Sequence, residues 1–180
     1  MLKHRLQVDL DELETAFEEH EFGTNYYLDV LTGDVLAVTD EIRASLEEIY
    51  NELSEGADPE TVDWPLIVRE QGWPGWMAGG LEDAYRVDIG FGSRYIRVPK
   101  DESHDGFRDM EEFINTVTQA RLRNTLVQAI SGKGAFRRFK DTLAYHERER
   151  ERWFAFKRDR LRARMLAALA AEGIEITPRQ

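Results

Sequence analysis

NYYLDVLTGDVLAVTD, residues 25–40, is the stretch on which the fold turns. Tyr26, Leu28 and Val30 alternate with Tyr27, Asp29 and Leu31, a period of two that suits a strand. Thr32-Gly33-Asp34 is a short glycine-containing turn, and Val35–Val38 is a second β-rich run, so the segment predicts a β-hairpin. The flanks change period. Upstream, Leu10, Leu13 and Phe17 recur at i, i+3 and i+7, as on a helix. Downstream, Asp40 is placed to cap a helix whose Ile42, Leu46, Ile49 and Leu53 form one stripe. Strands set among helices point to an α+β protein.

Further along, RYIRVPKD (94–101) reads as a strand stopped by Pro99. With the hairpin near 25–39, a strand near 94–98 completes a small antiparallel sheet. YRVDI (85–89) is a candidate further strand. From about Asp105 the chain is helical. Met110, Phe113, Ile114 and Val117 make one core stripe, Leu122, Leu126 and Ile130 another, and Phe136, Phe139 and Leu143 a third. Gly132 and Gly134 separate the last two. A long charged helix over 146–172 carries Phe154, Leu161, Met165 and Leu169 along one side and ends at Gly173. IEITPRQ (174–180) is a last short strand or a tail. Residues 54–92 break the pattern. Pro59, Pro65 and Pro74 fall among many glycines and three of the four tryptophans, which predicts an irregular excursion with one short helix at 65–71. The expectation is a single α+β domain over 1–180, its small sheet packed with a helical C-terminal half.

Composition narrows the function classes. The chain has 180 residues, 42% hydrophobic and 33% charged, the profile of a globular protein able to bury its own core. It has no cysteine, which excludes disulfides, thiolate catalysis and cysteine-ligated metals. The first residues, MLKHRLQVDLDELE, lack the apolar core of a secretory signal, and no run approaches membrane-span length, so a cytoplasmic protein is expected. The net charge of −11 is unevenly spread: residues 1–120 hold 9 Lys/Arg against 28 Asp/Glu, and residues 121–164 hold 14 against 5. Such asymmetry marks either a polyanion-binding surface or a basic part paired with an acidic one. The overall negative field favours the second.

AISGKGAFRRFKD (129–141) is the most distinctive local pattern. It is not a nucleotide-binding P-loop, because Ala135 stands where Lys-Ser/Thr would follow the glycine and a helix rather than a strand precedes it. Two readings remain. In one, Lys133, Gly134, Arg137, Arg138 and Lys140 form an anion- or partner-binding corner at a helix start. In the other, the stretch only turns one helix into the next, with Gly132 as a cap and Phe136 and Phe139 buried.

This stretch resembles the signature of a bacterial family, uncharacterised protein family 0158. The blocks YYLDVLTGDV (26–35), RYIRVP (94–99), DMEEFI (109–114) and LVQAISGKGAFRRFKD (126–141), then the region Trp153–Phe156, fit it along most of the chain. The resemblance implies a small cytoplasmic bacterial protein. It brings no catalytic residue and no cofactor.

The remaining chemistry-bearing groups form no recognisable set. His4, His20, His104 and His146 are scattered, with no metal-ligand spacing. Asp29 and Asp34 flank the hairpin turn with Asp40 close beyond; opposed acids can hold Mg²⁺ or act as an acid/base pair, but Asp34 is expected to stabilise the turn and Asp40 to cap the next helix. No catalytic residue, metal or cofactor is expected. Trp64, Trp73 and Trp76, with Trp153, are candidate anchors for a protein partner, or else plugs over the sheet. The basic helices over 121–164 interleave cations with aromatics, a pattern suited to single-stranded nucleic acid, although ERERER also describes a solvated helix. The leading expectation is a non-enzymatic binding or adaptor module with a protein partner. Nucleic acid on the basic helices, or an enzyme or small-anion binder at Gly132–Lys140, are the alternatives, and self-association through the last helix is a third.

Overall fold

The computed structural model describes residues 4–18, 22–53 and 57–179. They fall into two compact units, Met1–Lys100 with Glu172–Gln180, and Asp101–Ala171. The fold is α+β, with a three-stranded antiparallel sheet and a separate parallel pair. No helix among the described residues is long and apolar enough to cross a membrane.

The first unit contains β1 (His4–Val8), α1 (Leu10–Glu18), β2 (Thr24–Asp29), β3 (Val35–Thr39), α2 (Asp40–Ile49), α3 (Trp64–Glu70), α4 (Met77–Gly90), β4 (Tyr95–Arg97) and β5 (Ile174–Pro178). The predicted hairpin and third strand are present, with β2 central between β3 and β4 and Leu28 opposite both Val35 and Ile96. Tyr27, Leu28 and Asp29 are all buried, so β2 is covered on both faces. The turn is made by Asp29, whose Oδ1 accepts from the Leu31 and Thr32 amides at 2.8 and 3.4 Å. Asp34, expected in that role, instead meets Arg179 Nη2 at 3.0 Å. Gly33 has φ +81°, and a Cβ there would lie 1.9 Å from the Gln7 carbonyl oxygen, so neither the turn nor the approach of β1 admits a side chain.

Three sequence expectations are corrected in this unit. Thr39, not Asp40, caps α2: its hydroxyl accepts from the Ile42 amide at 3.2 Å, and Asp40 lies in the first turn. The stretch 54–92 carries two helices rather than one. Asp63 caps α3 by accepting from Leu66 N, with Pro65 in the first turn where its missing N–H costs nothing. YRVDI is the end of α4, not a strand. Met77, Leu81, Ala84 and Tyr85 bury one helical face, and Gly80 lets α2 approach so closely that a Cβ would sit 2.9 Å from Ile42 Cδ1. β5 forms as a strand, pairing in parallel with β1 from His4↔Ile174 to Val8↔Pro178.

The second unit is helical: α5 (Ser103–Thr116), α6 (Ala120–Ala129), α7 (Ala135–Ala144) and α8 (Glu147–Ala171). Its core gathers Met110, Phe113, Ile114, Leu122, Leu126, Phe139, Leu143 and Trp153. Phe113, Phe139 and Trp153 meet edge to face, with Phe139–Trp153 centroids 4.8 Å apart. Two residues assigned to core stripes are out of them. Phe136 is 43% exposed and Phe154 54% exposed, while Ala135 and Trp153, one position earlier, take the buried seats. Leu161, Met165 and Leu169 are buried as expected.

Candidate functional site

The corner between α6 and α7 is built by two glycines and one arginine. Gly132 and Gly134 both have left-handed φ, +76° and +78°, which lets the chain reverse within four residues of the end of α6. Arg138, one turn into α7, folds back across the turn. Its Nε donates to the Ala129 carbonyl at 2.9 Å, Nη2 to Ser131 at 2.6 Å, and Nη1 to Lys133. Those carbonyls end α6 and its turn, where a helix leaves acceptors unsatisfied and its dipole favours a cation. Gly134 keeps the route open, since a Cβ there would stand 3.2 Å from Arg138 Nη1.

The five residues singled out at this corner therefore do not converge. Arg138 is committed to carbonyl oxygens. Arg137 points to solvent and lies 3.7 Å from Asp141. Lys133 and Lys140 are exposed, with no acidic side chain at ion-pair distance among the described residues. Lys140 shares the Phe136 side of α7, away from Arg138, Thr142 and Tyr145.

The tryptophans also separate. Trp64 is buried, with its indole N–H donating to the Pro59 carbonyl at 2.9 Å and its ring 5.6 Å from that of Tyr85. Trp153 is core of the second unit, Trp73 is half-buried against the first unit's core, and Trp76 is exposed at the start of α4. Among the described residues no group of three His, Asp or Glu could hold a metal ion. His104 lies between Glu102 and Asp105, and His20 is outside the described residues.

Beside the corner runs a groove of about 600 Å³ between α6 and α7. Thr125, Gln128 and Ala129 of α6 and Arg138, Asp141 and Thr142 of α7 line it, with Tyr145 and His146 from the α7–α8 link. Tyr145 is 88% exposed, unusual for a ring of that size held on a helix end. The Thr125 and Thr142 hydroxyls donate to the carbonyls of Arg121 and Arg138, and each oxygen can still accept a bond. The Gln128 side chain has no protein partner among the described residues.

A second charged constellation went unread in the sequence because its members lie far apart in the chain. Arg164 on α8 grips Asp101 in bidentate fashion at 2.7 and 3.0 Å and donates to Asp109 Oδ1 at 2.9 Å. Arg160 joins Asp109 and Glu112. Burial alone would lower the Arg164 pKa, but the two carboxylates outweigh it and raise it above the usual arginine value. Each buried carboxylate is answered by a guanidinium, so the cluster is a structural tie between α5 and α8.

No curated protein and no solved structure matches the chain. One family profile does, over residues 87–180, just over half of the sequence. That span contains the RYIRVP, DMEEFI and LVQAISGKGAFRRFKD blocks, α4's last turn and everything after it; YYLDVLTGDV lies outside it. The α6–α7 corner and groove thus lie within the matched region, and the chain belongs to the Uncharacterised protein family (UPF0158).

Proposed function

We propose that this protein is a non-enzymatic binding module that holds a segment of a partner protein in the α6–α7 groove. The observation that carries the reading is the groove itself, wide open to solvent, with an almost fully exposed Tyr145 among its lining residues. Hydroxyl and amide side chains along such a wall suit the backbone of an extended peptide, and tyrosine is a common anchor at protein interfaces. The small-anion reading of Gly132–Lys140 draws less support, since Arg138 spends its donors on carbonyls and Lys140 faces another way. Of the tryptophans, only Trp76 is exposed enough to serve as a separate contact. A bacterial cytoplasmic location is part of this proposal, and the family resemblance supports it.

Selection of a random peptide display library on the full chain tests this reading, with counter-selection on Tyr145→Ala and Gln128→Ala. Enriched peptides that lose most of their binding to both variants are expected. Enrichment indifferent to both substitutions, or none at all, would remove the groove from consideration.

A further inference from the structure

The first unit holds a cleft of about 210 Å³ where the end of α4, the approach to β4 and the chain at Asp58–Glu60 meet. Tyr95 lines it. The residue is 3% exposed, and its hydroxyl makes no hydrogen bond among the described residues. The other two buried tyrosines are satisfied: Tyr27 accepts from Arg43 Nη2 at 3.2 Å, and Tyr85 bonds the backbone of Ala57. A buried hydroxyl without a partner is costly, so this one has bonding capacity to spare. Its oxygen is not sealed off from solvent, which leaves that capacity within reach of a ligand. Gly90 seats the ring, since a Cβ on it would stand 2.7 Å from Tyr95 Cδ2. Burial, with Asp29, pushes the Tyr95 pKa up against the charges of Arg94 and Arg86. The phenol therefore stays protonated at neutral pH, and both guanidiniums lie within electrostatic reach of it.

Charges of both signs line the same cleft. Arg94 gives Nε and Nη2 to Asp29 and keeps Nη1; Arg86 gives Nη2 to Glu82 and keeps Nε and Nη1. Asp58 has one oxygen taken by the Glu60 amide, and the exposed Glu60 carboxylate is held only loosely, 3.8 Å from Arg86. Two cations and two acids leave the lining without net charge. We propose that this cleft binds a small zwitterion of the α-amino-acid class, its carboxylate taken by the Tyr95 hydroxyl, Arg94 and Arg86 and its ammonium by Glu60 and Asp58. Guanidinium and phenol donors suit a carboxylate, and carboxylates with oxygens to spare suit an ammonium. The volume lies below that of sites for drug-sized ligands, which fits a molecule of a few heavy atoms. A phosphate dianion fits less well: it would meet Asp58 and Glu60, and Asp29 and Glu82 already neutralise the two arginines. The cleft shares no residue with the α6–α7 groove, so its failure leaves that reading in place.

The test is saturation-transfer difference NMR of the full chain with a pool of the standard amino acids at millimolar concentration, beside their N-acetyl and methyl-ester derivatives. Inorganic phosphate serves as a competitor. Transfer to at least one free amino acid is expected, lost on either N-acetylation or esterification and not displaced by phosphate. Tyr95→Phe should weaken that binding about tenfold, the loss of one hydrogen bond to a charged group. Its thermal melt should match the parent's, because the hydroxyl bonds nothing within the fold. Glu60→Gln, on the exposed chain before α3, should weaken the amino acid as well. No transfer to any amino acid, or transfer indifferent to both substitutions, would overturn the proposal. Binding of an N-acetyl derivative as tight as that of its parent would remove the ammonium, and displacement by phosphate would make the cleft a plain oxyanion site; either result overturns the zwitterion. A Tyr95→Phe melt well below the parent's would show the hydroxyl to be paired within the fold and take away the ground for the site.

Discussion

Asp29 shows how one carboxylate can decide a local structure. It accepts from two turn amides on one oxygen and from Arg94 Nε at 2.9 Å on the other, tying the β2–β3 turn to the chain leading into β4. Burial disfavours its charged form, yet the Arg94 guanidinium and the amides of Leu31 and Thr32 prevail and hold its pKa below the usual aspartate value. The sign of the pH dependence follows. An Asp titrates near 3.9 when unfolded, so a lowered folded value contributes stability above about pH 4 that is lost as pH falls through the folded value. Asp29→Asn should cost about 1–3 kcal/mol at pH 7. The difference from the parent protein should shrink below about pH 4, as read from urea unfolding at pH 7 and pH 3. A constant difference across that range would mean that the charge of Asp29 contributes nothing. The sequence places Asp29 beside the hairpin turn and gives the turn role to Asp34; the partner of Asp29 stands 65 residues away, and no local pattern announces it. Arg138 is different. Its four-residue distance from Gly134 puts it over the turn, so the capping role is readable once α6 is known to end at Ala129.

At the scale of elements, most stripe residues are buried as the period predicts, and on α7 and α8 one position each is off by a single residue. Phe136, Phe139 and Leu143 make an i, i+3, i+7 stripe, and Ala135, Phe139 and Leu143 make an equally good i, i+4, i+8 stripe. Residue size favours the first, and packing selects the second. Ala135 is buried where helices crowd, and Phe136 lies on the flank, its ring edge 3.3 Å from where a Cβ on Gly106 would be. The same ambiguity on α8 exchanges Phe154 for Trp153. Trp153→Ala should therefore cost about 3–5 kcal/mol, because it empties the aromatic centre shared with Phe113 and Phe139. Phe136→Ala should cost about 1 kcal/mol or less, as expected of a half-exposed ring. Urea melts followed by far-UV circular dichroism separate the two, and equal losses would contradict this assignment of the core. The strand reading of residues 85–89 fails for a related reason. Tyr85, Val87 and Ile89 do alternate, but Met77, Leu81 and Ala84 extend the period of 3.6 upstream through Gly79 and Gly80, which have no side chains to display it.

At the scale of the molecule, the feature least visible in the sequence is a nested topology. The parallel β1–β5 pair joins the two ends of the chain, and Arg179 reaches Thr32 O at 2.7 Å and Asp34 at 3.0 Å, so the first unit is complete only when its last residues return. The second unit is one continuous segment with its own core. Charge divides along the same boundary. Residues 101–171 hold 15 Lys/Arg against 11 Asp/Glu, net +4, and the remainder holds 9 against 24, net −15, together the −11 of the chain. Self-repulsion is thus concentrated in the first unit, and the continuous unit is the better candidate to fold alone. A chain of about 70 residues buries only ~60% of its surface and is marginal by that measure. Here the Arg164–Asp101–Asp109 cluster is wholly internal and no contact of that cluster is lost by excision. The fragment 101–171 is therefore expected to be helical and to melt cooperatively, with Trp153 fluorescence reporting a buried indole. Removal of residues 172–180 from the full chain should leave that transition in place while lowering the one sensed by Trp64, since β1 then has no partner. A fragment without a cooperative melt would make the second unit dependent on the first, and the two cores would have to be counted as one folding unit.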